Sequence, residues 1–241
     1  MALAFALVLA ILALSGCGGR GGVGPPPLPG QSETSPGADP VGLEVYGDSL
    51  TVADSPSFQA GMTGPRSWAH HLPPHGMRME AGSGRWGATA GDILAQHLRP
   101  GVQADLLVLF LGTNDLAAAG PADDAGLARR HEDFIGSLDR IVERRGYPPE
   151  RVVVVAVGPR NGGAAAPVER WNSLTHRAAA DRGWQLLDPW PRLRTSGNRY
   201  ADPSLTTDGL HLDTAGAERL AAGMAAGIRR LATPGAGETA G

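Results

Sequence analysis

Four short segments carry the side chains that acyl-transfer chemistry uses: Gly47-Asp48-Ser49-Leu50, Gly82-Ser83-Gly84-Arg85-Trp86-Gly87, Gly112-Thr113-Asn114-Asp115 and Asp208-Gly209-Leu210-His211. A serine becomes a nucleophile when a base lies within hydrogen-bond reach and the base has an orienting partner. Ser49, His211 and Asp208 supply those three types. The tetrahedral transition state also needs donors aimed at its developing oxyanion. The backbone N–H groups of Ser49 and Gly87 and the side-chain amide of Asn114 are candidates. Each segment alone has a plain structural explanation. Gly-Asp-Ser is a common turn, Gly-Thr-Asn-Asp suits a strand end followed by a helix cap, and Asp208 with His211 suits a surface pair. Their order along the chain, each beside an expected strand or helix end, is what argues for one site.

The elements that would position them follow from hydropathy patterning. Strands are expected at Leu43–Tyr46, Met77–Ala81, Asp105–Leu111, Arg151–Val157 and Trp184–Leu187. The runs Leu106–Leu111 and Val152–Val157 lack polar alternation, as parallel strands covered on both faces do. Helices are expected at Thr89–Leu98, Ala122–Arg145, Ala165–Arg182 and Thr214–Leu231. Leu127, His131, Phe134, Leu138 and Ile141 fall on one face of the second. Strand alternating with helix implies an α/β fold, a three-layer α/β/α sandwich around a five-stranded parallel sheet. Such sheets bind ligands beyond the carboxyl ends of their strands, where Ser49, Gly87 and Asn114 fall.

With these residues in place, the chain resembles the SGNH (GDSL-type) serine ester hydrolases. That family carries a Ser in Gly-Asp-Ser-Leu, a Gly, an Asn in Gly-x-Asn-Asp and a His in Asp-x-x-His. All four blocks stand here in that order, at Gly47–Leu50, Gly87, Gly112–Asp115 and Asp208–His211, and His211–Gly216 is similar to the family's closing segment. The resemblance implies Ser49 as nucleophile, His211 as base and Asp208 as its orienter. It implies Ser49, Gly87 and Asn114 as the oxyanion hole, and no metal or organic cofactor. Gly84 is the alternative to Gly87, whose Gly87-Ala88-Thr89 context fits the family's Gly-x-Thr spacing better. The implied reaction is hydrolysis of carboxylic esters through an acyl-enzyme, on acetylated carbohydrate or on lipid-type and short-chain esters. Two other functions use the same framework: an O-acyltransferase acting on envelope sugars, and a non-catalytic surface binding module.

Composition narrows the classes further. The chain has 241 residues, 21 basic and 24 acidic, for a net charge of −3. That balance argues against a nucleic-acid partner. Every basic residue is Arg, which excludes a Schiff-base lysine and P-loop chemistry. The single Cys excludes an intramolecular disulfide framework.

That Cys lies where a lipid would be attached. Ala2 to Leu14 is an unbroken run of 13 apolar residues, of signal-peptide rather than membrane-spanning length. Leu14-Ser15-Gly16-Cys17 resembles the bacterial lipobox, in which the Cys is lipidated and the peptide cleaved just before it. No Lys or Arg precedes the run, which departs from that pattern. Residues 1–16 therefore read as a lipoprotein signal peptide. Residues 17–40 read as lipidated Cys17 and a tether, with seven Gly and six Pro in the 23 positions Gly18–Pro40. Residues 41–231 form the catalytic domain and 232–241 a flexible tail. The expected address is the bacterial cell envelope, as a membrane-anchored exported lipoprotein.

Several other features carry weaker signals. His70, His71 and His75 are interrupted by Pro73 and Pro74 and read as a solvated loop. Trp86, beside Gly87, is expected to line the acyl or alcohol pocket. Glu44 is out of place in a buried strand, and Arg78 or another Arg is the expected partner. The Arg-rich stretch Arg192–Arg199, which precedes Asp208, could touch an anionic substrate but reads first as a solvated loop.

Overall fold

The computed structural model describes residues 39–98, 101, 103–119, 123–162 and 165–232. Cys17, the apolar N-terminal run, nearly all of the tether and the tail after Ala232 lie outside them. Five strands form one parallel sheet: β1 (Val41–Gly47), β2 (Met77–Gly84), β3 (Leu106–Phe110), β4 (Val152–Val155) and β5 (Gln185–Leu187), in the order β2-β1-β3-β4-β5. The helices are α1 (Ser49–Val52), α2 (Ala90–Asp92), α3 (Thr113–Ala118), α4 (Asp124–Arg145), α5 (Ala165–Asp181) and α6 (Thr214–Ala232).

Successive strand residues feed opposite faces, so each face builds its own core. Leu43, Val45, Val108, Phe110, Val153 and Val155 pack with Trp68, Trp190 and the α6 residues Leu220 and Met224. Leu107, Leu109, Val152 and Val154 pack with Phe134, Leu138 and Ile141 of α4 and Trp171 of α5. The expected three-layer sandwich is therefore the observed one.

Local differences have local causes. The expected helix Thr89–Leu98 is only three residues of α2, capped by the Thr89–Asp92 capping box, followed by a π-helical segment at Ile93–His97. Alternation of apolar residues cannot distinguish these windings. Helix α4 starts at Asp124 because the Asp123 carboxylate caps it, accepting from Gly126 N at 2.7 Å. Helix α6 runs one residue past the expected end, to Ala232.

Glu44 is 1% exposed, and its partner is Arg145, not Arg78. Arg145 Nε and Nη2 donate to its two oxygens at 2.5 and 3.0 Å, and Tyr147 OH adds a third bond at 2.9 Å. Arg78 instead pairs with Glu80 on the same strand. The buried carboxylate thus ties β1 to the C-terminal end of α4. In the loop after β1, His70 Nδ1 and His71 Nε2 hydrogen-bond the carbonyls of Thr63 and Pro65. Among the described residues no group of three or more His, Cys, Asp or Glu side chains could hold a metal ion. No described helix is long and apolar enough to cross a membrane.

Candidate active site

The order 2-1-3-4-5 reverses direction between β1 and β3, and the crevice beyond the ends of those two strands is the place such a sheet offers a ligand. Ser49 follows β1 directly and Asn114 follows β3, so both lie at that switch point. Ser49 is the first residue of α1. Its predecessor Asp48 caps that helix, accepting from Leu50 N at 3.0 Å. Behind α1, Ser67 Oγ donates to Thr51 O and Trp68 Nε1 to Thr51 Oγ1, fixing the turn from the core side.

Ser49, His211 and Asp208 form one hydrogen-bonded chain. His211 Nε2 lies 2.9 Å from Ser49 Oγ, and His211 Nδ1 lies 2.7 Å from Asp208 Oδ2. An ionised carboxylate only accepts, so the proton sits on Nδ1 and Nε2 is left to accept from the serine hydroxyl. Partial desolvation raises the Asp208 carboxyl, but the His211 ring and the N–H groups of His211 and Leu210 outweigh it and hold it down at about 2. Asp208 therefore stays charged far below neutral pH. Its loop is pinned by Asn161 N to Gly209 O at 2.7 Å and Tyr200 OH to Leu210 O at 2.9 Å. Gly209 has φ +85°, a conformation that favours glycine.

Asn114 is tied to the segment that follows Gly87 and to the residue that precedes Ser49. Asn114 Nδ2 donates to Ala88 O at 3.0 Å and approaches Asp48 Oδ2 at 3.4 Å. Among the described residues, neither the Ser49 N–H nor the Gly87 N–H makes a hydrogen bond. Geometry separates the two candidate glycines. Gly84 pairs with Gly47 across β1 and β2, and a Cβ there would stand 2.7 Å from Gly47 O, so its lack of a side chain serves strand packing. Gly87 has φ +71° and open space around it.

Trp86 lies beside His211. Its ring centroid is 4.7 Å from that of His211, at 31°, and its Nε1 donates to Ala53 O at 2.9 Å. Together with Ser49, Leu50, Arg66, Thr207 and His211 it lines a small cleft of about 60 Å³.

Asp48, Asp115, Tyr200 and Arg66 take parts that sequence reasoning did not assign. Asp115 is buried, and its carboxylate accepts from Ala90 N at 3.1 and 3.2 Å, so α3 grips the Gly87–Ala90 segment with two adjacent side chains. Burial pushes the Asp115 carboxyl up to about 6 against the pull of Ala90 N–H. Asp48, fully buried, is pushed up to about 7 by burial, with Asp115 adding to the rise and Leu50 N–H opposing it. The adjacency of Asp48 to Ser49 and of Asp115 to Asn114 was the available signal. Tyr200 and Arg66 carried none, because they approach from loops distant in sequence.

Such an arrangement can remove the Ser49 proton through His211, attack a carbonyl carbon and offer donors to the resulting oxyanion. No curated protein sequence matches the chain. Among solved structures, LAE5, an alpha/beta hydrolase enzyme from the metagenome of Lake Arreo, Spain, aligns with a TM-score of 0.61 at 21% identity, over 80% of this chain and 97% of that one. The lipase/acylhydrolase from Enterococcus faecalis aligns at 0.54 and 17%, over 79% and 96%. A G-D-S-L family protein from Desulfitobacterium hafniense aligns at 0.59 and 15%, over 77% and 98%. At these identities the likeness is one of fold. The GDSL-like lipase/acylhydrolase family model matches residues 45–219, a span that holds all four blocks and most of the described chain, and the chain belongs to that family.

Proposed function

We propose that the chain is a serine carboxylic-ester hydrolase working through an acyl-enzyme on Ser49. The carrying observation is the unbroken relay Ser49 Oγ–His211 Nε2–His211 Nδ1–Asp208 Oδ2, with links of 2.9 and 2.7 Å. Ser49 Oγ attacks the ester carbonyl while its proton passes to His211. The negative charge moves to the carbonyl oxygen, toward Ser49 N–H, Gly87 N–H and the Asn114 amide. When the tetrahedral intermediate collapses, the alkoxide leaves with the proton from His211. Water then enters, gives its proton to His211 and releases the acid, regenerating Ser49. Asp208 holds the ring tautomer and stabilises the imidazolium in between.

The cleft of about 60 Å³ favours a small acyl group, and acetylated carbohydrate or other short-chain esters are the substrate class we assign. Residues 41–231 are the catalytic domain in this proposal. The apolar run and Cys17 support an exported lipoprotein held at a membrane by residues 17–40, so that the enzyme meets esters of the cell envelope.

The test is steady-state hydrolysis of p-nitrophenyl acetate, butyrate and octanoate by wild type and by Ser49→Ala. Wild type should prefer the shorter esters. The variant should keep its circular-dichroism spectrum and lose kcat by a factor on the order of 10⁶. A folded Ser49→Ala protein that retains activity, or a folded wild type inert on all three esters, contradicts the proposal.

A further inference from the structure

Beside α6, away from the catalytic residues, a groove of about 530 Å³ runs between that helix and the segment after β5. Arg192, Arg219 and Arg230 line it, with Pro189, Pro191 and Gly223 among the uncharged residues. All three arginines are exposed, and among the described residues none of them makes an ion pair. The one carboxylate on the groove, Asp188, is held by Arg194 through both its oxygens, at 3.2 and 2.5 Å. Asp202 feels the field of Arg219 without pairing with it. The groove therefore carries a local excess of three positive charges on a chain whose net charge is −3.

Its shape is built. A Cβ at Gly223 would stand 2.5 Å from Pro189 O, so this glycine lets α6 lie directly on the chain segment that forms the other wall. Arg219, Gly223, Ala226 and Arg230 recur at spacings of four, three and four, which puts them on one face of α6. Arg219 and Arg230 are eleven residues apart, about 16 Å along the helix at 1.5 Å per residue. That separation spreads the guanidinium groups along the trough. It matches a chain that presents anionic groups repeatedly along its length. A concave trough also admits a single chain better than the flat surface of a bilayer.

The geometry points to this groove as a binding site for a linear polyanion, one bearing phosphate or carboxylate groups at intervals, held by Arg192, Arg219 and Arg230. Guanidinium suits both groups through paired N–H donors. Contacts at exposed charges are screened within about 10 Å at 0.1 M salt, so binding should weaken steeply as salt rises. The net negative charge of the whole chain opposes indiscriminate binding of polyanions, which makes any affinity traceable to a local patch.

The experiment is isothermal titration of the folded protein with sodium polyphosphate of defined chain length, at 50 and 500 mM NaCl, with orthophosphate and phosphatidylglycerol vesicles as separate arms. Polyphosphate should bind at low salt, at least tenfold more weakly at high salt, and far more tightly than orthophosphate. The triple variant Arg192→Gln/Arg219→Gln/Arg230→Gln should weaken polyphosphate binding tenfold or more and leave p-nitrophenyl acetate hydrolysis unchanged. A control triple, Arg129→Gln/Arg140→Gln/Arg177→Gln, removes the same charge from exposed positions outside the groove and should have little effect. Absence of polyphosphate binding at 50 mM NaCl, equal loss in both triples, or groove-dependent binding of the vesicles as tight as that of polyphosphate would overturn the assignment. The readout is binding, so it stands or falls separately from the esterase proposal.

Discussion

Asn114→Ala separates a catalytic part for the amide from a merely structural one. Asn114 Nδ2 has two hydrogens. One is anchored on Ala88 O at 3.0 Å, which fixes the plane of the amide. The other faces Asp48 Oδ2 at 3.4 Å, outside the 2.7–3.2 Å range of a good N–H···O bond. In the proposed mechanism that second hydrogen, held only by this long contact, turns to the developing oxyanion beside Ser49. Removing a donor of this kind costs about 2.7–4 kcal/mol in the transition state, a fall in kcat of roughly 10²–10³. KM should change little, because the bond is made chiefly in the transition state. The lost bond to Ala88 costs a further ~1 kcal/mol, and that cost appears in stability, not in turnover. The assay measures kcat and KM for p-nitrophenyl acetate and the urea midpoint on one preparation. If the midpoint falls while kcat per folded molecule stays within about fivefold of wild type, Asn114 is only a strand-end residue and the oxyanion assignment is wrong.

Three further outcomes are expected, two from the structure and one from the sequence. Arg145→Met should cost about 3–5 kcal/mol in urea unfolding, because it leaves the Glu44 carboxylate buried and without its cation, while Glu44→Leu/Arg145→Met should recover most of the loss; a single variant within 1 kcal/mol of wild type would contradict this. Asp48 has its folded pKa raised to about 7 from 3.8, so the folded protein holds a proton that the unfolded chain gives up between those values. Its contribution to stability is complete below about pH 4 and is lost as pH rises through 7, so Asp48→Asn should gain stability relative to wild type between pH 4.5 and pH 8; an unfolding difference that does not vary with pH would refute the assignment. Cys17→Ser should shift the protein out of the membrane fraction without altering the activity of the folded domain, and a wild-type protein that carries no lipid at Cys17 would remove the basis for the proposed anchor.

The parts of this molecule that were readable from sequence are those that depend on residues near one another in the chain. Val152–Val155 and Leu106–Phe110 showed themselves as unalternating apolar runs because both their faces are covered. Ser49, Asn114 and the Asp208–His211 pair each sit in a local motif at an element's end, and the sheet order then brings them to one crevice. What was not readable depends on distant partners. Glu44 announced that it needed a cation, but its partner lies 101 residues away on α4, and the nearer Arg78 is taken by Glu80. Asp48 and Asp115 look like ordinary turn residues until their burial is seen. The π-helical stretch Ile93–His97 hides in the sequence because its apolar residues suit an ordinary helix equally well. Arg66 enters the cleft, and Tyr200 braces the His211 loop, through three-dimensional approach alone.

The most direct measurement of the central claim is the site of covalent modification by a fluorophosphonate, mapped by peptide mass spectrometry on the folded protein. A serine activated through His211 attacks the phosphorus and expels fluoride, leaving a stable phosphonyl ester. The account predicts one adduct per chain, on Ser49, forming in step with the loss of p-nitrophenyl acetate hydrolysis and absent from His211→Ala. An adduct on another residue, or full loss of activity with Ser49 unmodified, would contradict it.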